Sequence, residues 1–349
     1  MTEQHNTDQP QAAKQPCCQR GSIAKKLGLG AALVALPLGV YGIYRNIEDA
    51  AQPKDLVPGK GANLDAAMRQ VDPALIKYHE VTRIDTGFQS PLAIAVDAQG
   101  NLLVAAERTV RRFSRSGSIL GDISIGLTPY CLASDNNGGL LVGMKDHVEL
   151  YAPDGKLAKT WPSFGEKSYL TCIAVGGNDV WVADAGRRVV VHCDRDGKVL
   201  GEIAKADPSR NLPGLQLPSP HLDVAVDPDG LIWVNNTGLH RLEAYKADGT
   251  LDRFWGTPGT TIQAFPGCCN PADFAILKDG SFITAEKITP RVKRYLPDGT
   301  FAGVVAAPDL FGQNMTGIDV ATDADGRVLL MERGNRIVRV FVMNEATTR

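Results

Sequence analysis

The feature that most constrains this chain is a two-turn unit that recurs from about Lys77 to Met343. Its first turn appears as VDAQGNLLVA (96–105), SDNNGGLLVG (134–143), VGGNDVWVAD (175–184), VDPDGLIWVN (226–235), LKDGSFITAE (277–286) and TDADGRVLLM (322–331). Each joins one apolar strand to another through Gly, Asp and Asn, which tolerate the positive φ of tight hairpins. The second turn appears as SRSGSIL (114–120), APDGKLA (152–158), DRDGKVL (194–200), KADGTLD (246–252) and LPDGTFA (296–302). Its glycines, Gly117, Gly155, Gly197, Gly249 and Gly299, lie 38, 42, 52 and 50 residues apart. A four-stranded propeller blade takes about 40–50 residues.

Six first turns predict six blades. The sixth unit ends at IVRVFVM (337–343) with only three strands of its own. HEVTRID (79–85), just before the first complete unit, is the candidate fourth strand, and its pairing leaves no open sheet edge. The expected fold is all-β, a six-bladed β-propeller of four-stranded blades over residues 77–343.

The matching units are SPLAIAVDAQGNLLVAA (90–106), SPHLDVAVDPDGLIWVN (219–235) with HRLEAY (240–245), and MTGIDVATDADGRVLLMERGNRIVRVF (315–341). The repeat resembles the NHL family, whose units read approximately P-x-G-I-A-V-D, G-x-I-Y-V-A-D and N-x-R-I-x-x-F. The resemblance implies the propeller and leaves function open, because NHL propellers include binding platforms, lyases and hydrolase-like enzymes.

The N-terminus reads as tail, membrane span and stalk. Residues 1–26 are polar, with Arg20, Lys25 and Lys26 just before an uncharged apolar run at 27–44. As a helix that run is roughly 27 Å long, enough to cross a hydrocarbon core of about 30 Å with Tyr41 and Tyr44 at the interface. The positive residues precede it and Glu48 and Asp49 follow. This places the N-terminus in the cytoplasm and the body on the periplasmic or extracellular face. The domain reading is a tail (1–26), an anchor (27–44), a linker (45–76), the propeller (77–343) and a short tail (344–349). With 37 basic and 39 acidic residues the net charge is −2, and no run of Lys/Arg in the body exceeds two, which argues against nucleic acid.

Propeller ligands sit where the innermost strands begin. The aligned position there holds Ala93, Cys131, Cys172, Asp223, Asp273 and Asp319, with His221 adjacent. Two thiols and three carboxylates around one pore admit a divalent metal. The competing reading is that short side chains at strand starts bond backbone groups. A second ring, Glu107, Asp184, Asn236, Glu286 and Glu332, ends the second strands. Lactonase and gluconolactonase-like propellers hold calcium on such residues. Here the recurrence of Asn236 with Arg241, Glu286 with Arg291 and Glu332 with Arg336 reads as a repeated acid–Arg pair. The amidating lyase of similar fold needs three converging His, and only His221 takes a rim position, while His147, His192 and His240 fall elsewhere. The DPDG, DRDG and DADG runs lack the twelve-residue spacing of a calcium loop and read as turns.

The NHL pattern does not account for Phe265-Pro266-Gly267-Cys268-Cys269-Asn270-Pro271. Cys268 and Cys269 read as a vicinal disulfide in an oxidising compartment, as soft-metal ligands that also make a metal site with Cys131 or Cys172, or as loop packing. Cys17 and Cys18 fall in the tail, and Cys193 reads as a buried thiol. Two function classes follow. One is a membrane-anchored binding or assembly module for a membrane-associated protein partner, requiring no cofactor. The other is a metal-dependent lyase or hydrolase working at the central rim.

Overall fold

The computed structural model describes residues 68–135, 137–312 and 317–345. They form six four-stranded antiparallel sheets around a central channel. In blades 1 to 5 the strands follow chain order from the channel outward, with innermost strands Pro91–Val96, Cys131–Ser134, Leu170–Gly176, Val224–Val226 and Asp273–Ile276. The sixth blade runs Ile318–Thr322, Val328–Glu332, Ile337–Met343 and then Tyr78–Asp85 on the outside. The ring therefore closes as the sequence predicts, in a register that runs from Tyr78 opposite Met343 to Asp85 opposite Ile337. The end of the linker also belongs to the body: Ile76 bridges Val304, and the Lys77 amide donates to the Val304 carbonyl at 2.9 Å.

The turns explain the Asp-rich strings. In DAQGN, DPDGL and DADGR the first Asp accepts from the amides two and four residues on: Asp97 from Gln99 and Asn101, Asp227 from Asp229 and Leu231, Asp323 from Asp325 and Arg327. Gly230 then takes φ +83°, a left-handed conformation that L side chains rarely adopt. One oxygen of each carboxylate is spent on its own turn.

Adjacent blades bury their apolar faces against each other. Ile283, Val292, Val320, Leu330 and Phe341 join blade 5 to blade 6, and Trp233, Phe274, Phe282 and Tyr295 join blade 4 to blade 5. At about 25 cal/mol per Å² and 150–250 Å² per aromatic, each such ring contributes several kcal/mol before the entropic cost of ordering it. The tail 1–26, the apolar run 27–44, Cys17, Cys18 and the linker up to residue 67 lie outside the described residues, as do 346–349. Among the described residues no helix is long and apolar enough to cross a membrane.

Candidate functional site

The six innermost strands all begin at one end of the channel, and residues at or near their starts form the predicted ring. Its carboxylates reach sideways. Asp223 of blade 4 accepts from the Phe274 amide of blade 5 at 2.9 Å, Asp273 of blade 5 from the Val320 amide of blade 6 at 3.2 Å, and Asp319 of blade 6 from the Ile94 amide of blade 1 at 2.9 Å. Each takes the amide that follows the aligned position in the next blade. Cys172 makes the reciprocal kind of contact, its thiol donating to the Val224 carbonyl at 3.4 Å. Cys131 is buried against Gly143. The backbone-bonding role expected of short side chains at strand starts is thus visible at four of the six positions.

Burial holds these acids above the ordinary carboxylate range. Asp223 is pushed up to about 6 by desolvation, with the neighbouring Asp319 charge adding to it. Asp273 goes well above its usual value through burial and the charges of Asp223 and Asp319. Asp319 is raised by burial too, against the pull of Arg333, whose guanidinium lies 3.9 Å away. Each of the three carboxyls is therefore harder to ionise in the channel than an isolated one. Among the described residues no group of three or more His, Cys, Asp or Glu is placed to hold one metal ion.

Above the ring lies a cavity of about 200 Å³ whose lining includes Tyr130, Tyr169, His221, Asp223, Asp273 and Arg333. The tyrosine rings meet edge to face at 5.3 Å. Desolvation, with Lys287 and Arg333 nearby, lowers His221 to about 4, so its imidazole is neutral at pH 7. The strand-start alignment finds His221 but not Tyr130, Tyr169 or Arg333. A usable signal was present: Lys287 and Arg333 each follow the acid that ends a second strand, Glu286 and Glu332, and so emerge on this face.

The second ring is structural. Glu107 accepts from the Gln89 amide at 3.0 Å, Asp184 from the Tyr169 amide at 3.0 Å and Asn236 from the Gln216 amide at 2.9 Å, so each pins the chain entering its blade. The expected acid–Arg pairs are met in part. Glu286 binds Arg291 at 2.7 Å, with buried Lys293 completing the cluster. Asn236 instead reaches Glu243, which binds Arg241 at 2.7 Å. Glu332 pairs with Arg339, not Arg336, because Arg336 points across the rim to Gln89. His147 pairs with Asp146 and His192 stacks on Trp181 at 3.8 Å, both on the blades, away from the channel. Cys193 is fully buried and pushed up to about 12 by desolvation.

The loop between blades 4 and 5 places Cys268 in solvent and Cys269 beneath it, with their Sγ atoms 3.0 Å apart. The Asn270 side chain ties the loop down, donating to the Pro266 carbonyl at 2.8 Å and accepting from the Lys287 amide at 3.0 Å. Lys287 Nζ donates to Ser219 Oγ at 2.9 Å, two residues before His221. Ile288, beside Lys287, is 68% exposed and left-handed at φ +76°, a strained state for a β-branched residue. Cys131 and Cys172 belong to the channel ring and do not join the Cys268–Cys269 pair.

No family model matches the chain, and no curated protein matches it. Solved structures share its fold. A streptogramin B lyase superposes with a TM-score of 0.54 at 13% identity, covering 78% of this chain and 100% of its own. A Bacteroides thetaiotaomicron protein of unknown function gives 0.58 at 13%, covering 77% and 76%. A chain of the mitotic checkpoint complex gives 0.54 at 12%, covering 79% and 95%. At such identities the likeness shows a β-propeller and nothing of its chemistry.

Proposed function

We propose that the protein is a binding propeller, tethered outside the cytoplasm by the apolar run at 27–44, that offers the channel-mouth face to a protein partner of the same membrane. One observation carries this reading. The ring carboxylates are committed to hydrogen bonds between blades, whereas Tyr130, Tyr169, Arg333, Cys268 and Ile288 on the same face hold no comparable role in the repeat. Aromatic and Arg side chains around a partly desolvated hollow are the composition of binding hot spots. A mitotic checkpoint chain of the same fold works within an assembly, as its name states.

The test uses full-length protein in native membranes, crosslinked and purified, with variants on opposite faces. Tyr169→Ala with Arg333→Glu should lose the co-purifying partner by about tenfold or more, and Lys156→Glu on a blade-edge turn should retain it. Equal retention by both variants counts against the reading. A second reading, catalysis at the mouth, is favoured by neutral His221 beside Asp223 and Asp273, two carboxyls that burial raises above their ordinary range, in one cavity. Stoichiometric calcium, zinc or copper in the purified protein, lost together with a turnover in His221→Ala, would transfer the assignment to it.

A further inference from the structure

Cys268 and Cys269, which the repeat does not account for, lie with Ser219 and Lys287 beside the cavity. Cys268 is exposed, Cys269 is 3% exposed, and Cys269 is held by hydrogen bonds with the Cys268 thiol, Ser219 and the Lys287 ammonium. The Asn270 amide fixes Lys287 and the Cys loop to each other, so the sulfurs and the cation are preorganised. The two thiols are therefore unequal in access and in environment. Burial alone would raise Cys269, but the bonds from Cys268, Ser219 and Lys287 outweigh it and bring it below the ordinary thiol value. Cys268 is raised, chiefly by its bond to Cys269. Their Sγ atoms lie 3.0 Å apart, within reach of one another.

We propose that Cys268 and Cys269 are a redox-active dithiol that reduces an external disulfide, with Cys268 as the attacking thiol, Cys269 as the resolving thiol, and Lys287 and Ser219 as positioning residues. Cys268 is the only one of the two that a bulky disulfide reaches, so it attacks as the thiolate after its proton passes to solvent. Cys268 Sγ bonds one sulfur of R–S–S–R, the S–S bond breaks, and the other half leaves as RS⁻. Cys269 then attacks Cys268 Sγ, and the second RS⁻ departs as the Cys268–Cys269 bond closes. The two cysteine protons pass through solvent to the leaving thiolates. The balance is two Cys thiols and one external disulfide to one vicinal disulfide and two RSH. The disulfide bond of the substrate is reduced and the protein dithiol is oxidised. This step is independent of the proposed protein partner, since a small disulfide suffices, so failure of either idea leaves the other standing.

The test uses full-length protein carrying Cys17→Ser and Cys18→Ser, in detergent, with oxidised glutathione as the probe, followed by acid quench, alkylation and peptide mass spectrometry. The peptide spanning 268 and 269 should become two hydrogens lighter and take up no alkylating reagent. Cys269→Ser should trap one glutathione on Cys268, and Cys268→Ser should trap none. Lys287→Met should slow closure of the intramolecular bond by about tenfold, and Lys287→Arg should restore it. Unchanged thermal melts of these variants separate chemistry from misfolding. Failure of Cys269→Ser to trap glutathione overturns the proposal. So does wild-type closure at an equal rate in Lys287→Met, or thiols that alkylate only after a chelator.

Discussion

The two halves of the channel ring are built differently. Blades 4, 5 and 6 present Asp223, Asp273 and Asp319, each bonded to an amide of the next blade, whereas blades 1, 2 and 3 present Ala93, Cys131 and Cys172, which fill space or make one weak thiol contact. The carboxylate half is stitched, and its last stitch, from Asp319 to Ile94, crosses the seam where the ring closes. The thiol half relies on close packing, shown by Gly143, where an added Cβ would lie 2.3 Å from Cys131 Sγ. Charge near a pore does not by itself mark a binding site, because here it replaces contacts that the other half makes with apolar bulk.

The seam gives the largest test. Removing residues 1–88 deletes the outer strand of blade 6 and leaves the edge of Ile337–Met343 unpaired. The product should aggregate or lose most of its stability, whereas removal of 1–44 should leave a soluble propeller. Size-exclusion chromatography decides it, and a monomeric, equally stable product of the longer deletion breaks the closure argument.

Asp273 comes next. Asp273→Ala leaves the Val320 amide unpaired in the channel and should cost about 2–3 kcal/mol in urea unfolding. Asp273→Asn should cost under about 1 kcal/mol, because the carboxamide oxygen still accepts from the Val320 amide without a charge to desolvate. Equal losses in the two variants would show that Asp273 is ionised in the folded protein.

Acidity separates the halves further. A carboxyl raised by folding contributes stability that is fully present below its unfolded pKa near 4 and is lost as pH rises through its folded value. For Asp223, at about 6, the loss between about pH 4 and pH 7 should be on the order of 2–3 kcal/mol. Asp223→Asn lacks this loss, so urea midpoints of wild type and variant should diverge across that window. Parallel curves would mean that Asp223 keeps an ordinary pKa. The smallest effect lies in the thiol half. Gly143→Ala should destabilise by about 1–2 kcal/mol through its clash with Cys131, and Cys131→Ala in the same chain should recover most of that.

The blades, their number and the closing strand were legible in the sequence, because hairpin turns and alternating apolar strands are local and repeat six times. The DPDG-type runs were legible as turns for the same reason, since each Asp bonds amides two and four residues away. The NHL resemblance pointed to the same propeller, while the family itself lies beyond what a shared fold can show. What only the tertiary structure decided is where side chains meet across blades. Asp223 finds the Phe274 amide 51 residues away, Asp319 finds Ile94 225 residues away, and Glu332 takes Arg339 in place of Arg336. Tyr130, Tyr169 and Arg333 come from three blades, and no spacing announces that they line one cavity. Cys268 and Cys269 stood out as a departure from the repeat, but Lys287 and Ser219 became their neighbours only through folding. The physical reason is range: turn and strand preferences act over a few residues, whereas the bonds between blades, the buried acids and the cavity arise when distant strand ends are brought around one axis.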